Sequence, residues 1–159
     1  MKLNKQANPR AAASAAAIVI EVLHDPAAPQ LLALQSGYKQ AIGEAPLTEG
    51  QQRRLRQAIA AGRITFFVAR CGERLVGMCS VARCYSTFAC SDTGVYEDFY
   101  VEPAFRGSGL ARRLAKAAQS WCSDNGIASL TVCCAPCDEK MYQSLGFSLP
   151  LGSTFAHVN

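Results

Sequence analysis

The spacing of apolar positions changes several times along this chain, and each change marks a different kind of element. Ile18 to Leu23 is a short apolar run that predicts a first strand. Within Gln30–Gln40, Leu31, Leu34 and Tyr38 recur at helical spacing and predict a helix. Thr48-Glu49-Gly50-Gln51 has the form of a capping box, in which a hydroxyl and an amide side chain satisfy each other's unpaired backbone N–H groups. It opens a second helix that carries Leu55 and Ile59 on one face and stops at Gly62.

The pattern then turns extended. Ile64 to Arg70 is β-branched and aromatic, Cys71-Gly72-Glu73 reads as a turn, and Arg74 to Cys84 returns as the second arm of an antiparallel hairpin. Ser86 to Thr93 reads as a polar loop. Gly94 to Val101 is the next strand, ended at Glu102-Pro103 because proline has no N–H for a ladder. Beyond Gly109 the helical period resumes with Leu110, Leu114, Ala117 and Trp121, while Arg112, Arg113 and Lys116 lie off that stripe. Arg113 and Lys116 read as a solvated face. Asn125-Gly126 ends the helix, Ile127 to Cys133 reads as a buried strand, Asp138 to Leu145 as a short helix closed by Gly146, and Phe147 onward as extended chain. The order β-α-α-β-β-β-α-β-α-β is mixed α/β with one sheet.

Length and composition narrow the function classes. A chain of 159 residues fits one domain, placed at 18–159, with residues 1–17 as a tail to which no function is assigned. With 50% hydrophobic and 18% charged residues the chain is globular rather than disordered. No run approaches the about 20 apolar residues of a membrane helix, so no membrane partner is expected. A net charge of +4 is too weak to argue for nucleic acid but suits an anionic small molecule. Most of the eight cysteines fall in apolar runs, as small core residues of a reduced, cytoplasmic protein. Cys133-Cys134-Ala135-Pro136-Cys137 lacks a second Cys-x-x-Cys half, and the only histidines are His24 and His157, so no metal is expected.

The chemistry concentrates in Tyr96 to Ala111, a strand followed by a basic, glycine-rich turn and an amphipathic helix. Gly107 and Gly109 allow backbone N–H groups to approach a ligand without an intervening Cβ. The first turn of the helix has unpaired N–H groups and partial positive charge, which favour phosphate, and Arg106 and Arg112 add formal charge there. No Gly-Lys-Ser/Thr follows, which excludes a Walker motif, and Arg112 stands where a dinucleotide fingerprint needs glycine.

Arg106-Gly107-Ser108-Gly109-Leu110-Ala111 resembles the [Gln/Arg]-x-x-Gly-x-[Gly/Ala] acetyl-CoA signature of the GNAT N-acetyltransferase superfamily. Met141-Tyr142-Gln143-Ser144-Leu145-Gly146-Phe147 resembles that family's closing element. Tyr85-Ser86-Thr87-Phe88 followed by Glu97-Asp98-Phe99-Tyr100-Val101 is similar to its diamine and polyamine branch. The resemblance implies a GNAT-like fold with a mostly antiparallel sheet flanked by helices, acetyl-CoA as cosubstrate, a small amine as substrate, and a homodimer. It implies that residues 106–112 cradle the CoA pyrophosphate and that the main chain of Phe99, Tyr100 and Val101 pairs with pantetheine. It also implies that Tyr142 protonates the departing CoA thiolate, that Glu97 accepts the amine's proton, and that Glu97, Asp98 and Tyr85 contact the substrate. Where many relatives carry Asn and Ala before that tyrosine, this chain has Ala135 and Asp138.

Elementary chemistry agrees with these roles. Attack on a thioester needs a neutral amine, and alkylamines are protonated at neutral pH with a pKa near ~10.4; a carboxylate near the sheet can bind the ammonium and then relay its proton. The leaving thiolate, with a free pKa of ~8.5, gains from an O–H donor. Strand alternation places Glu97, Phe99 and Val101 on one face and Tyr96, Asp98 and Tyr100 on the other. Only one of the two carboxylates then faces the acyl site, and Glu97 is the choice. The acceptor remains open between a small amine, polyamine or amino-acid-like compound and, within the class, a protein amine or an aminoglycoside. Outside it stand a non-catalytic acyl-CoA-binding module and a cysteine-based metal or redox protein.

Overall fold

The computed structural model describes residues 17–157. The tail assigned to residues 1–17 therefore lies outside the described residues except for its last position. Five strands form one sheet in the order β1-β2-β3-β4-β5: β1 Ile18–Val22, β2 Ile64–Cys71, β3 Arg74–Ser86, β4 Ser91–Val101 and β5 Leu130–Thr131. The first four pair antiparallel and β5 joins β4 in parallel, so the sheet is mixed and mostly antiparallel.

Helices cover both faces. α1 (Pro29–Ala41) and α2 (Glu49–Ala60) lie on one face. There Leu31, Leu34, Leu55 and Ile59 pack against Phe66, Val68, Leu75 and Met78. α3 (Leu110–Asp124) and the short α4 (Glu139–Ser144) lie on the other. Leu110, Leu114, Ala115, Ala118 and Leu145 meet Phe67, Val76, Cys79, Val81 and Tyr96 there. The capping box at Thr48 and Gln51 forms with both of its reciprocal bonds. The β2–β3 hairpin closes at Gly72, whose φ of +59° is open to glycine at no steric cost.

Several sequence expectations need correction. The loop placed at 86–93 is only a tip, because β3 runs to Ser86 and β4 begins at Ser91; their ladder continues through Cys84–Thr93 and Tyr85–Asp92. The strand placed at 127–133 is reduced to Leu130–Thr131, since β5 pairs with β4 only at Gly94 and Val95 before the two strands part. No strand follows Phe147 among the described residues, where Pro150 removes a ladder donor and Gly152 sits at φ +94°. Cysteine is less of a core residue than its apolar neighbours suggest: Cys79 and Cys122 are buried, but Cys84, Cys90, Cys133 and Cys137 are exposed. Arg113 is not merely solvated, because its guanidinium donates to the Ile18 carbonyl at 2.6 Å and ties α3 to β1.

Candidate active site

The feature that shapes the site is a bulge in β4. Met78 pairs with Tyr100 and Ser80 with Glu97, so Cys79 alone faces both Asp98 and Phe99 across the ladder. Asp98 absorbs the extra residue at φ +53°, a left-handed conformation that aspartate tolerates better than most. The bulge overturns the simple alternation expected from the sequence. Phe99 is brought to the same face as Tyr96, with ring centroids 6.1 Å apart, and joins the α3–α4 side together with Val101. Glu97, Asp98 and Tyr100 are left toward α1, so the two carboxylates share a face rather than dividing between two.

Beyond Val95 the β5-facing edge of β4 is open, and a cavity of about 830 Å³ occupies the opening. Its walls come from β4 residues 95–101, from Tyr38, Ala41 and Ile42 at the end of α1, and from Val132 to Ala135 after β5. Asp138, Met141 and Tyr142 close it near α4, and Phe105 to Gly107 with Gly109 to Ala111 close it at the start of α3. An open strand edge inside a cavity offers a row of backbone donors and acceptors to an extended ligand.

At one end stands the glycine-rich turn. Gly107 and Gly109 adopt φ +75° and +82°, and a Cβ at either would meet nothing within 4 Å. Glycine is therefore required there by backbone conformation rather than by crowding. The first helical bond of α3 runs from the Arg113 N–H to the Gly109 carbonyl, so the N–H groups of residues 110–112 have no helical partner. Arg106 donates through Nε to the Val101 carbonyl at 3.0 Å and lays its guanidinium 5.9 Å from the centre of the Tyr100 ring, bracing the strand end against the turn. Ser108 turns its hydroxyl back to the Phe105 carbonyl at 2.6 Å, and neither Ser108 nor Arg112 lines the cavity.

At the other end lie the titratable groups. Glu97 is raised above its ordinary carboxylate value by burial and by the neighbouring Asp98 charge. Asp98 is raised by burial, an effect opposed by the Gln35 amide, which donates to Oδ2 at 3.1 Å, by the nearby Ser80 hydroxyl and by Lys39. Ser80 donates to the Glu97 carbonyl at 3.3 Å, which leaves the Asp98 carboxylate beside it rather than as its bonded partner. Tyr142 sits edge-on to Tyr96, Phe99 and Phe147 at centroid distances of 6.4, 6.4 and 6.0 Å. Burial, then the nearby Asp138, pushes its phenol up to about 12. Its hydroxyl has no hydrogen-bond partner among the described residues, so the proton is held and available to a ligand in the cavity.

Tyr85 is not brought to this site. It pairs with Asp92, five residues before Glu97 on β4 and so roughly 17 Å along the strand, and is 64% exposed. Conversely, the sequence reading did not assign Gln35 and Tyr38 to the site. Gln35 is 4% exposed on the buried stripe of α1 between Leu31, Leu34 and Tyr38, and a lone amide on an apolar stripe is the signal that could have found it. No cluster of three or more potential metal ligands occurs among the described residues.

A family model for the acetyltransferase (GNAT) domain matches residues 33–156. The chain belongs to the GNAT acetyltransferase family. It is accordingly an acyltransferase, and GNAT acetyltransferases use acetyl-CoA. No curated protein matches the sequence. Among solved structures, an aminoglycoside acetyltransferase from an uncultured soil metagenomic sample, in complex with trehalose, is 14% identical with a TM-score of 0.78, covering 89% of this chain and 95% of its own. A protein from Clostridium acetobutylicum described as a predicted acetyltransferase, solved with acetyl-CoA, is 13% identical with a TM-score of 0.75, covering 90% and 96%. Glucosamine-6-phosphate N-acetyltransferase from Arabidopsis thaliana is 16% identical with a TM-score of 0.70, covering 90% and 99%. At these identities the likeness is one of fold, and this GNAT chain shares it nearly end to end.

Proposed function

We propose that this GNAT enzyme transfers the acetyl group of acetyl-CoA to the primary amine of a small cationic acceptor, by direct attack in a ternary complex. The observation that carries the reading is the charge layout of the cavity. The N-terminus of α3 and Arg106 lie at one end, whereas Glu97, Asp98 and Asp138 line the rest, and Arg106 is the only cationic side chain among the described lining residues. The phosphates of CoA fit the first end and an ammonium fits the second. An acceptor carrying its own phosphate, as in the substrate named for the Arabidopsis neighbour, would meet carboxylates with no cationic lining residue beside them.

In this reading Gly107, Gly109 and the N–H groups of residues 110–112 hold the pyrophosphate, and the main chain of Phe99 to Val101 pairs with pantetheine along the open edge of β4. Asp98 holds the ammonium, and Glu97 takes the proton that must leave before nitrogen can attack the thioester carbon. The raised Glu97 carboxyl is a better match to that task than an ordinary one. Tyr142 donates its O–H to the sulfur as the C–S bond breaks. Because its phenol stands near 12 and a free thiol near ~8.5, its contribution is hydrogen bonding to the developing thiolate, with complete proton transfer uphill until the product leaves.

The test is mass-spectrometric measurement of acetylated products from acetyl-CoA and single acceptors: polyamines, simple alkylamines, amino acids, an aminoglycoside, a lysine peptide and glucosamine 6-phosphate. The reading expects product from cationic small amines and none from glucosamine 6-phosphate. Preferential acetylation of the phosphorylated sugar would overturn it.

A further inference from the structure

The α1 helix presents one polar side chain to the interior of the fold, and that side chain reaches the strained residue of the bulge. Gln35 is 4% exposed, Asp98 stands at φ +53°, and the Gln35 amide donates to Asp98 Oδ2 at 3.1 Å. The contact joins positions 63 apart in sequence. A buried amide among leucines costs free energy unless it is bonded, and a left-handed aspartate persists only where its surroundings fix it. Each residue thus answers the other's cost.

We propose that Gln35 is a positioning residue of this site: its amide holds the Asp98 carboxylate fixed and ionised at the acceptor end of the cavity. The groups that face Asp98 leave this task to Gln35. On β4, Glu97 offers no donor and is itself raised by the Asp98 charge beside it. From β3, Ser80 favours the Asp98 charge from beside it but gives its hydroxyl to the Glu97 carbonyl at 3.3 Å. From α1, Tyr38 adds a neutral phenol, and Lys39 a favourable positive charge that forms no salt bridge to Asp98. Gln35 is the neutral donor bonded directly to the carboxylate. A donor on α1 also makes the acceptor site depend on how that helix is seated, so the helix and the bulge act as one wall.

The assignment rests on the acceptor reading for its use but not for its test. The Asp98 side-chain carboxyl carbon is followed by NMR through a pH titration in the wild type, in Gln35→Met, which keeps the length and removes the donor, and in Gln35→Leu, which removes it with a shorter apolar side chain. Each is run with CoA present, with and without n-butylammonium as probe. The Asp98 pKa is expected to be lowest in the wild type and about one pH unit higher in both variants, since a hydrogen bond to a charged group is worth about that much. A merely structural glutamine would lower the melting temperature and leave this order unmade. An Asp98 titration that is the same in folded Gln35→Met or Gln35→Leu as in the wild type overturns the proposal. If the titration follows Gln35 but ignores n-butylammonium, the positioning role stands and the assignment of Asp98 to the acceptor ammonium falls.

Discussion

Tyr142→Phe removes one oxygen from a ring whose other contacts survive. The ring packs at 6.0–6.4 Å from Tyr96, Phe99 and Phe147, and phenylalanine keeps each of those edge contacts. The lost hydroxyl has no protein partner among the described residues, so no acceptor is stranded and the melting temperature should move little. What disappears is a donor aimed at charge that develops on sulfur. Loss of one such preorganised donor in other enzymes costs about 10²–10³-fold in kcat, and the raised phenol places this case toward the lower figure. Quantifying product by mass spectrometry avoids a thiol dye, which the eight cysteines would confuse with released CoA. Acetyl-CoA affinity, read by calorimetry on the same preparation, should stay within a few-fold, because the glycine-rich turn and the open edge of β4 are untouched. A kcat within about threefold of the wild type would refute the donor role.

Four further outcomes follow from the same geometry. Asp98→Asn keeps a side chain that tolerates the left-handed region and removes the charge that raises Glu97; if Glu97 is the base, the acid limb of kcat/KM moves to lower pH and the acceptor KM rises, whereas an unmoved limb separates the two carboxylates. Gly109→Ala at φ +82° costs about 1–2 kcal/mol of stability and weakens acetyl-CoA binding by calorimetry, with no clash to blame. Gly94→Ala puts a Cβ 2.9 Å from Leu130 and Val81 where β5 joins the sheet, and should lower stability by about 1–3 kcal/mol in urea. Tyr96→Phe deletes a hydroxyl that is buried without a hydrogen bond beside the Cys79 thiol, which itself turns to the Leu114 carbonyl; denaturation should show a gain of about 1 kcal/mol.

Much of the fold was legible because it rests on local signals. Thr48 and Gln51 wrote their capping box, Gly72 its hairpin, and Leu110 and Leu114 the buried stripe of α3. The glycine-rich turn was legible for the same reason, since Gly107 and Gly109 serve a backbone conformation set by their neighbours. The bulge at Asp98 was not legible. Alternation is a rule for an unbroken ladder, and the residue that breaks it lies among Glu97, Phe99 and Tyr100, none of which announces a left-handed turn. That one residue decides which side chains share a face, so the expected separation of Glu97 from Asp98 failed while both positions remained in the site. Gln35 escaped because its partner lies far away in sequence, and only packing brings the helix to the bulge. The final extended segment failed for a different reason: Leu149, Leu151 and Phe155 look like strand residues, but they are exposed and pair with no strand among the described residues.

The most direct test of the account follows the acetyl group itself. Acetyl-CoA labelled on the acetyl carbon is incubated with the protein and one cationic amine, and mass spectrometry reads how the label divides between amine, water and protein. Direct transfer predicts label on the amine nitrogen, none on any cysteine, and initial-rate lines that intersect as a ternary complex requires. Label resting on the protein before it reaches the amine, or remaining wholly on CoA while calorimetry shows acetyl-CoA bound, would contradict direct transfer at Glu97 and Tyr142.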